Sequence, residues 1–218
     1  ITDSSSATTT VNMTLARTVT ANFELNSYPL TVNTTTGGTV TGSGSGNIPH
    51  GTLSVVSATP NDGYSFTVWS GNGISDPYSP LTTVNMNQAR TIKAHFSLNS
   101  YGLSLVSNEG GTTTGEGNFS YGSNASILAT PSAGYSFSEW TGDGITNPFS
   151  ASTTVSMEQN REISARFVPI YYSLSVNSSI GGIANGEGNF SHGSNASIIA
   201  TPATGYSFTG WTGEGISN

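Results

Sequence analysis

The sequence predicts an all-β protein, assembled as a tandem array of small units about 71 residues long. Three observations carry this prediction. The stretch GYSFTVWSG, Gly63 to Gly71, returns as GYSFSEWTG from Gly134 and as GYSFTGWTG from Gly205, which spaces Trp69, Trp140 and Trp211 by 71 residues each time. Val, Ile, Thr, Tyr and Phe are plentiful, and every apolar run is cut by Gly or Pro before it can show the i, i+3, i+4, i+7 pattern of a helix. Between the glycines the apolar residues alternate with polar ones, the period of a half-buried strand.

Taken in order, residues 1–27 read as the C-terminal half of a unit, 28–100 and 101–171 as full units, and 172–218 as an N-terminal half. The phase is direct: Ile1 stands ten residues before Val11, as Ile74 does before Val84 and Ile145 before Val155. A closing strand is expected next, with Val19, Ala21 and Phe23 on one face, repeated by Ile92, Ala94 and Phe96 and by Ile163, Ala165 and Phe167. Each following unit opens with an aromatic-led face: Tyr28, Leu30 and Val32, then Tyr101, Leu103 and Leu105, then Tyr172, Leu174 and Val176. Pro29 in the outward slot suggests a strand start or an edge strand. Gly37-Gly38, Gly110-Gly111 and Gly181-Gly182 mark a turn, and the loop after it is two residues longer in the first full unit than in the others. A third strand places Ser54, Val56 and Ala58 in phase with Ala125, Ile127 and Ala129 and with Ala196, Ile198 and Ala200, and ends at Pro60, Pro131 or Pro202.

The central stretch breaks the alternation. Tyr64 and Phe66 share a face, but Trp69 lies three residues past Phe66, so one extra residue in a β-bulge would return the indole to their side. The slot that absorbs it holds Val68, Glu139 or Gly210. Tyr64, Phe66 and Trp69, with Tyr135, Phe137 and Trp140 and with Tyr206, Phe208 and Trp211, are therefore expected to be structural core. Only four residues separate Phe23 from Tyr28, Phe96 from Tyr101 and Phe167 from Tyr172, too few for a flexible tether, so neighbouring repeats should be partners in a stiff rod.

Charge is sparse. Only 8% of the 218 residues are charged, with a net charge of −7 and a sequence pI near 4.6, so nucleic acid would be repelled and an anionic lipid surface gains nothing. No apolar run approaches the ~20 residues of a membrane span, so membrane insertion is not expected. There are no cysteines, hence no disulfide or thiolate metal site. A Ser/Thr/Asn/Gly-rich chain with a single lysine, Lys93, suits an extracellular or cell-surface setting. The chain opens on Ile1 with no leader, the pattern of a piece of something longer.

The same residues admit functional alternatives. The three tryptophans could stack on sugars, but in phase with Tyr and Phe they read better as core. His50 and His192 stand where Tyr121 does, and His95 where Asn22 and Arg166 do, so a proton shuttle is not kept from copy to copy and no catalytic residue is assigned. Calcium would need six to eight oxygen ligands; Asn72 stands where Asp143 and Glu214 do, and no EF-hand-like loop occurs, so no metal or cofactor is expected. Asn-x-Ser/Thr sequons occur at Asn12, Asn33, Asn118, Asn124, Asn177, Asn189 and Asn195, partly as products of duplication. A Lys-Asn crosslink in each unit is excluded because Thr20 and Ser164 replace Lys93.

The order Y-x-L-x-V, GG, G-x-G, A-T-P, G-Y-x-F-x-x-W-x-G, T-V-x-M and A-x-F resembles the divergent internalin-type B-repeat of secreted and surface-attached bacterial proteins. The resemblance covers both full units and the two halves. It implies a β-grasp-like unit, a spacer or adhesive-stalk role and no catalytic residues; since no helical stretch is present, the expectation is an all-β variant, a β-sandwich or a helix-less β-grasp-like fold. Function is then expected to be a non-catalytic segment of a stalk, adhesin or fibre. The competing readings are a glycan-binding module using Trp69, Trp140 and Trp211, and a filament subunit whose end halves are completed by copies of itself.

Overall fold

A computed structural model of the chain describes residues 3–42 and 46–216. Ile1 lies outside the described residues, as does 43–45, part of the longer loop. Among the described residues there is no helix. Two compact units divide the chain, one over residues 1–61 and 66–97, the other over 62–65 and 98–218.

In the first unit, β1 (Ser27–Thr34), β3 (Asn47–Pro49), β5 (Tyr64–Ser70) and β7 (Arg90–Leu98) form one sheet in the order β3-β1-β7-β5. The second sheet, β2-β4-β6, is made by β2 (Gly38–Thr41), β4 (Leu53–Pro60) and β6 (Leu81–Asn85). β1 and β7 run parallel in five rungs from Leu30↔Arg90 to Thr34↔Ala94. Parallel neighbours need a long crossover, normally helical; here the intervening chain makes the three-stranded sheet instead. The inward positions of both sheets meet in one core of Leu30, Val56, Ala58, Trp69, Val84, Met86, Ile92 and Ala94. This is sheet on sheet, with each fully buried aliphatic contributing roughly 1.5–3 kcal/mol of transfer free energy.

The second unit repeats the plan with β8 (Ser100–Ser107), β9 (Gly111–Thr114), β10 (Gly117–Ser120), β11 (Ser123–Pro131), β12 (Tyr135–Thr141), β13 (Ser152–Met157) and β14 (Arg161–Pro169). The sheets are β10-β8-β14-β12 and β13-β11-β9. Again the first and last strands are parallel neighbours, in five rungs from Leu103↔Arg161 to Ser107↔Ala165. The core is Leu103, Ala125, Ile127, Ala129, Trp140, Val155, Met157, Ile163, Ala165 and Phe167.

Four expectations are corrected. The bulge is present, but the register shifts between Phe137 and Glu139, so Ser138 rather than Glu139 is the unpaired residue. Of the two placements expected of Pro29, the one near a strand start holds and the edge strand does not: β1 begins at Ser27 and is internal, and Pro29 precedes Leu30, where the β7 ladder begins, so its missing N–H interrupts no β7 rung. Gly102 at that position does carry an N–H, which donates to Asn160 Oδ1 at 2.8 Å; the first full unit has Ala89 in place of Asn160. The closing strand expected through Val19, Ala21 and Phe23 does not form, and Val19 and Phe23 are exposed. The strands that flank its counterpart β7, β1 and β5, belong to the front half of a repeat, which the 1–27 stretch does not contain. Likewise residues 203–216 carry no strand. The final stretch pairs only β15 (Tyr171–Leu174) with β17 (Gly188–Ser191) and β16 (Gly182–Asn185) with β18 (Ile199–Pro202), and Val176 lies outside any strand.

Candidate functional site

The repeated aromatic stretch is the first candidate site. Trp69 and Trp140 are 2% and 1% exposed, so neither indole can offer a face to a sugar. Phe66 and Phe137 are half-buried and sit 5.8 and 5.6 Å from these indoles between ring centroids. The closing-strand phenylalanines complete the stack, Phe66 on Phe96 at 5.9 Å and Phe137 on Phe167 at 6.0 Å, both edge to face. Tyr64 and Tyr135 are half-buried, and Tyr135 packs over Gly110, where an added Cβ would come within 2.3 Å of the ring. In the final stretch Tyr206 and Phe208 are 57% and 50% exposed and Trp211 is half-buried, although Phe208 and Trp211 keep their 5.5 Å contact.

Each buried indole also pins a loop. Trp69 Nε1 donates to the Ser79 carbonyl and Trp140 Nε1 to that of Ser150, both at 3.0 Å. Their backbone N–H groups donate to the Pro77 and Pro148 carbonyls at 2.8 and 2.7 Å. The residue between these anchors is Tyr78 or Phe149, and its own N–H donates to the side chain of Asp76 at 2.9 Å or Asn147 at 3.1 Å. Those residues in turn donate their N–H to Thr82 Oγ1 and Thr153 Oγ1 at 3.0 Å. Residues 77–79 and 148–150 are thus fixed from both sides, and the rings they carry are 75% and 73% exposed.

Sequence reasoning missed this loop, though its signal is present: Asp3, Asp76 and Asn147 share a phase, as do Arg17, Arg90 and Arg161. The same turn forms at Asp3, whose Oδ1 accepts from the Ser5 N–H at 2.8 Å and from Ser5 Oγ at 2.7 Å. The Ser5 hydroxyl and then the Ser5 backbone N–H hold the Asp3 carboxyl below the usual carboxylate range, with desolvation opposing them and the Ser6 N–H contributing least. Each arginine donates Nε to the carbonyl five residues earlier, at 2.8, 3.2 and 2.7 Å.

Two of the three histidines pack against tyrosines. His50 and His192 meet Tyr28 and Tyr172 at 6.0 and 6.1 Å between centroids, as Tyr121 meets Tyr101 at 6.4 Å; any flat ring fits, which explains the exchange. Within the second unit Tyr121 also covers Gly63, where a Cβ would lie 2.0 Å from the ring. His95 Nε2 lies 2.7 Å from Ser70 Oγ on the surface, but among the described residues no carboxylate orients the imidazole, and the repeat equivalents are Thr141 and Arg166. Glu139 and Arg166 pair at 3.3 Å in solvent, a contact worth little. Among the described residues no cluster of three or more His, Cys, Asp or Glu could hold a metal ion.

A buried indole beneath two facing sheets returns at the same position in both full repeats. The family model for the divergent InlB B-repeat domain matches residues 28–100, 101–171 and 172–217, and the chain belongs to that family. No curated protein and no solved structure matches it significantly.

Proposed function

We propose that the chain is a non-catalytic, tension-bearing segment of an extracellular or cell-surface stalk, adhesin or fibre, with neighbouring repeats as its partners. The observation that supports this reading is the pairing of the first and last strands of each full repeat. Tension enters at β1 or β8 and leaves at β7 or β14, and these are parallel neighbours joined over five rungs. Pulling the ends apart shears all the rungs together, whereas antiparallel neighbours pulled from one end open one rung at a time. Forced unfolding is governed by the unfolding barrier, so this geometry favours a repeat that works under load.

Single-molecule pulling tests it, using cysteines introduced as handles into a chain that has none. Terminal handles should give two unfolding events per molecule, one for each full repeat. Handles at Asn124→Cys and Ser156→Cys, which face each other at one end of the β11–β13 ladder, should open the 101–171 repeat at a several-fold lower force. Equal forces in the two directions would defeat the proposal. Location is tested separately, by protease shaving of intact cells that make the full-length polypeptide: released peptides from 28–171 support the surface reading, and their absence contradicts it.

A further inference from the structure

We propose that Asn118 and Asn189 are acceptors of N-linked glycan, transferred to them by an oligosaccharyltransferase from a lipid diphosphate donor. Both lie in the same sequence, EGNFS, at 116–120 and 187–191. Its Asn-x-Ser part is the acceptor triplet. Glu116 and Glu187 add a carboxylate two residues before the asparagine, which none of the sequons at Asn12, Asn33, Asn124, Asn177 and Asn195 has. Amide, hydroxyl and carboxylate at fixed offsets give an enzyme three points that set the register of the acceptor, and the charged one adds a strong contact to a cationic group.

The fold holds this sequence out to solvent. β10 and β17 each pair on one side only, with β8 and β15. Phe119 packs against the core, so the alternation of the strand turns Asn118 and Ser120 outward; both are exposed, as are Asn189 and Ser191. Among the described residues, the side chains of Glu116, Asn118 and Ser120, and those of Glu187, Asn189 and Ser191, make no hydrogen bond or ion pair, so a transferase has none to break. Glu116 and Asn118 line one depression of about 750 Å³ together with Gly102 and Asn160, which leaves room for the first sugar. Asn33 and Asn124, by contrast, lie in β1 and β11, strands with a neighbour on each side.

In the transfer, the asparagine Nδ2 bonds to the anomeric carbon as the bond from that carbon to the diphosphate oxygen breaks. The lipid diphosphate leaves with the electron pair, and the displaced amide proton passes to a base of the transferase; nothing is oxidised or reduced. Such donors serve exported chains, so the modification rests on the extracellular or cell-surface reading. Its use lies in the edge it covers: an unpaired strand edge invites another chain to pair, and proteins blunt it with proline or by covering it. In the first repeat the same edge carries Pro49, for Ile48 pairs with Tyr28 as Phe119 does with Tyr101 and Phe190 with Tyr172. Pro49 removes the acceptor hydroxyl there, and Asn47 is no sequon. Proline in one copy and glycan in the others thus guard one edge.

The test incubates the folded whole chain with a purified bacterial oligosaccharyltransferase and a lipid-diphosphate-linked oligosaccharide, a short acceptor peptide verifying that the enzyme is active. Intact mass and glycopeptide mapping read the result. Glycan should appear at Asn118 and Asn189, and not at Asn47 or the other five sequons. Glu116→Gln should lower occupancy at Asn118 about tenfold, the loss of one charged contact, and Ser120→Ala should abolish it, while Asn189 in the same molecules stays occupied. Both are surface changes, and unchanged thermal unfolding verifies that the variants fold. No transfer to the chain, transfer only after heat unfolding, transfer spread over the other sequons, or equal occupancy in Glu116→Gln overturns the proposal. Because the reaction uses purified components, its failure leaves the surface reading standing, and failure of protease shaving on cells leaves the acceptor chemistry standing.

Discussion

Residues 101–171 and 172–216 begin with nearly the same sequence and end in different states. Trp140 is 1% exposed, and Tyr135 and Phe137 pack against the same core; the equivalent Tyr206 and Phe208 are 57% and 50% exposed. The difference is the closing half, since the final stretch has no counterparts of β13 and β14 to cover its aromatics. What survives in the half-repeats is local: the Phe208–Trp211 contact at 5.5 Å, the β15–β17 pairing, and the Asp3 and Arg17 hydrogen bonds. Those contacts use residues of one half alone, whereas burial of the indole needs the strands of both halves to meet.

The largest effect expected from this contrast comes from removing the indole. Trp140→Ala should destabilise the 101–171 repeat by about 3–5 kcal/mol, while Trp211→Ala should change denaturant unfolding by less than about 0.5 kcal/mol. Equal losses at the two sites would erase the distinction between closed and open repeats. A smaller effect is expected of Trp140→Phe, which keeps most of the apolar volume but leaves the Ser150 carbonyl without its Nε1 donor. About 1–3 kcal/mol should be lost, together with hydrogen-exchange protection in residues 148–150. Smaller again, Asn147→Ala removes the acceptor for the Phe149 N–H and should cost about 1 kcal/mol, read by thermal unfolding.

The smallest effect is a pH response. Because hydrogen bonds hold the Asp3 carboxyl below its usual range, the turn it forms is favoured at neutral pH and is lost as pH falls through that lowered value. The Ser5 amide resonance should report this, and the Phe149 amide, bound to a non-titrating Asn147, should not move over the same range. Movement of both, or of neither, would contradict the assignment of the turn.

Much of the closed repeat could be read from alternation. Val56, Ala58, Ile127 and Ala129 are buried where a period of two puts them, and the strands end at Pro60, Pro131 and Pro202 as expected. The bulge was legible from the spacing of Phe137 and Trp140, but its location at Ser138 was not, because spacing counts the extra residue without saying which one leaves the ladder. Parallel pairing of β1 with β7 carried no sequence signal, since the usual cue is a crossover helix. Val19 and Phe23 misled for another reason: their alternation is that of β7, but a strand exists only with partners, and these lie in the other half of a repeat. The loop at Tyr78 and Phe149 escaped notice because its order comes from two indoles about ten residues away in the chain.

Tryptophan accessibility tests the central claim most directly, that a repeat closes over its indole only when both of its halves are present. Acrylamide quenching should find two shielded tryptophans and one partly accessible in the present chain, and all three shielded once a closing segment, residues 148–171, is joined after Asn218. A Trp211 as accessible in the extended chain as in the present one, or a Trp69 and Trp140 quenched as readily as free indole, would contradict the account.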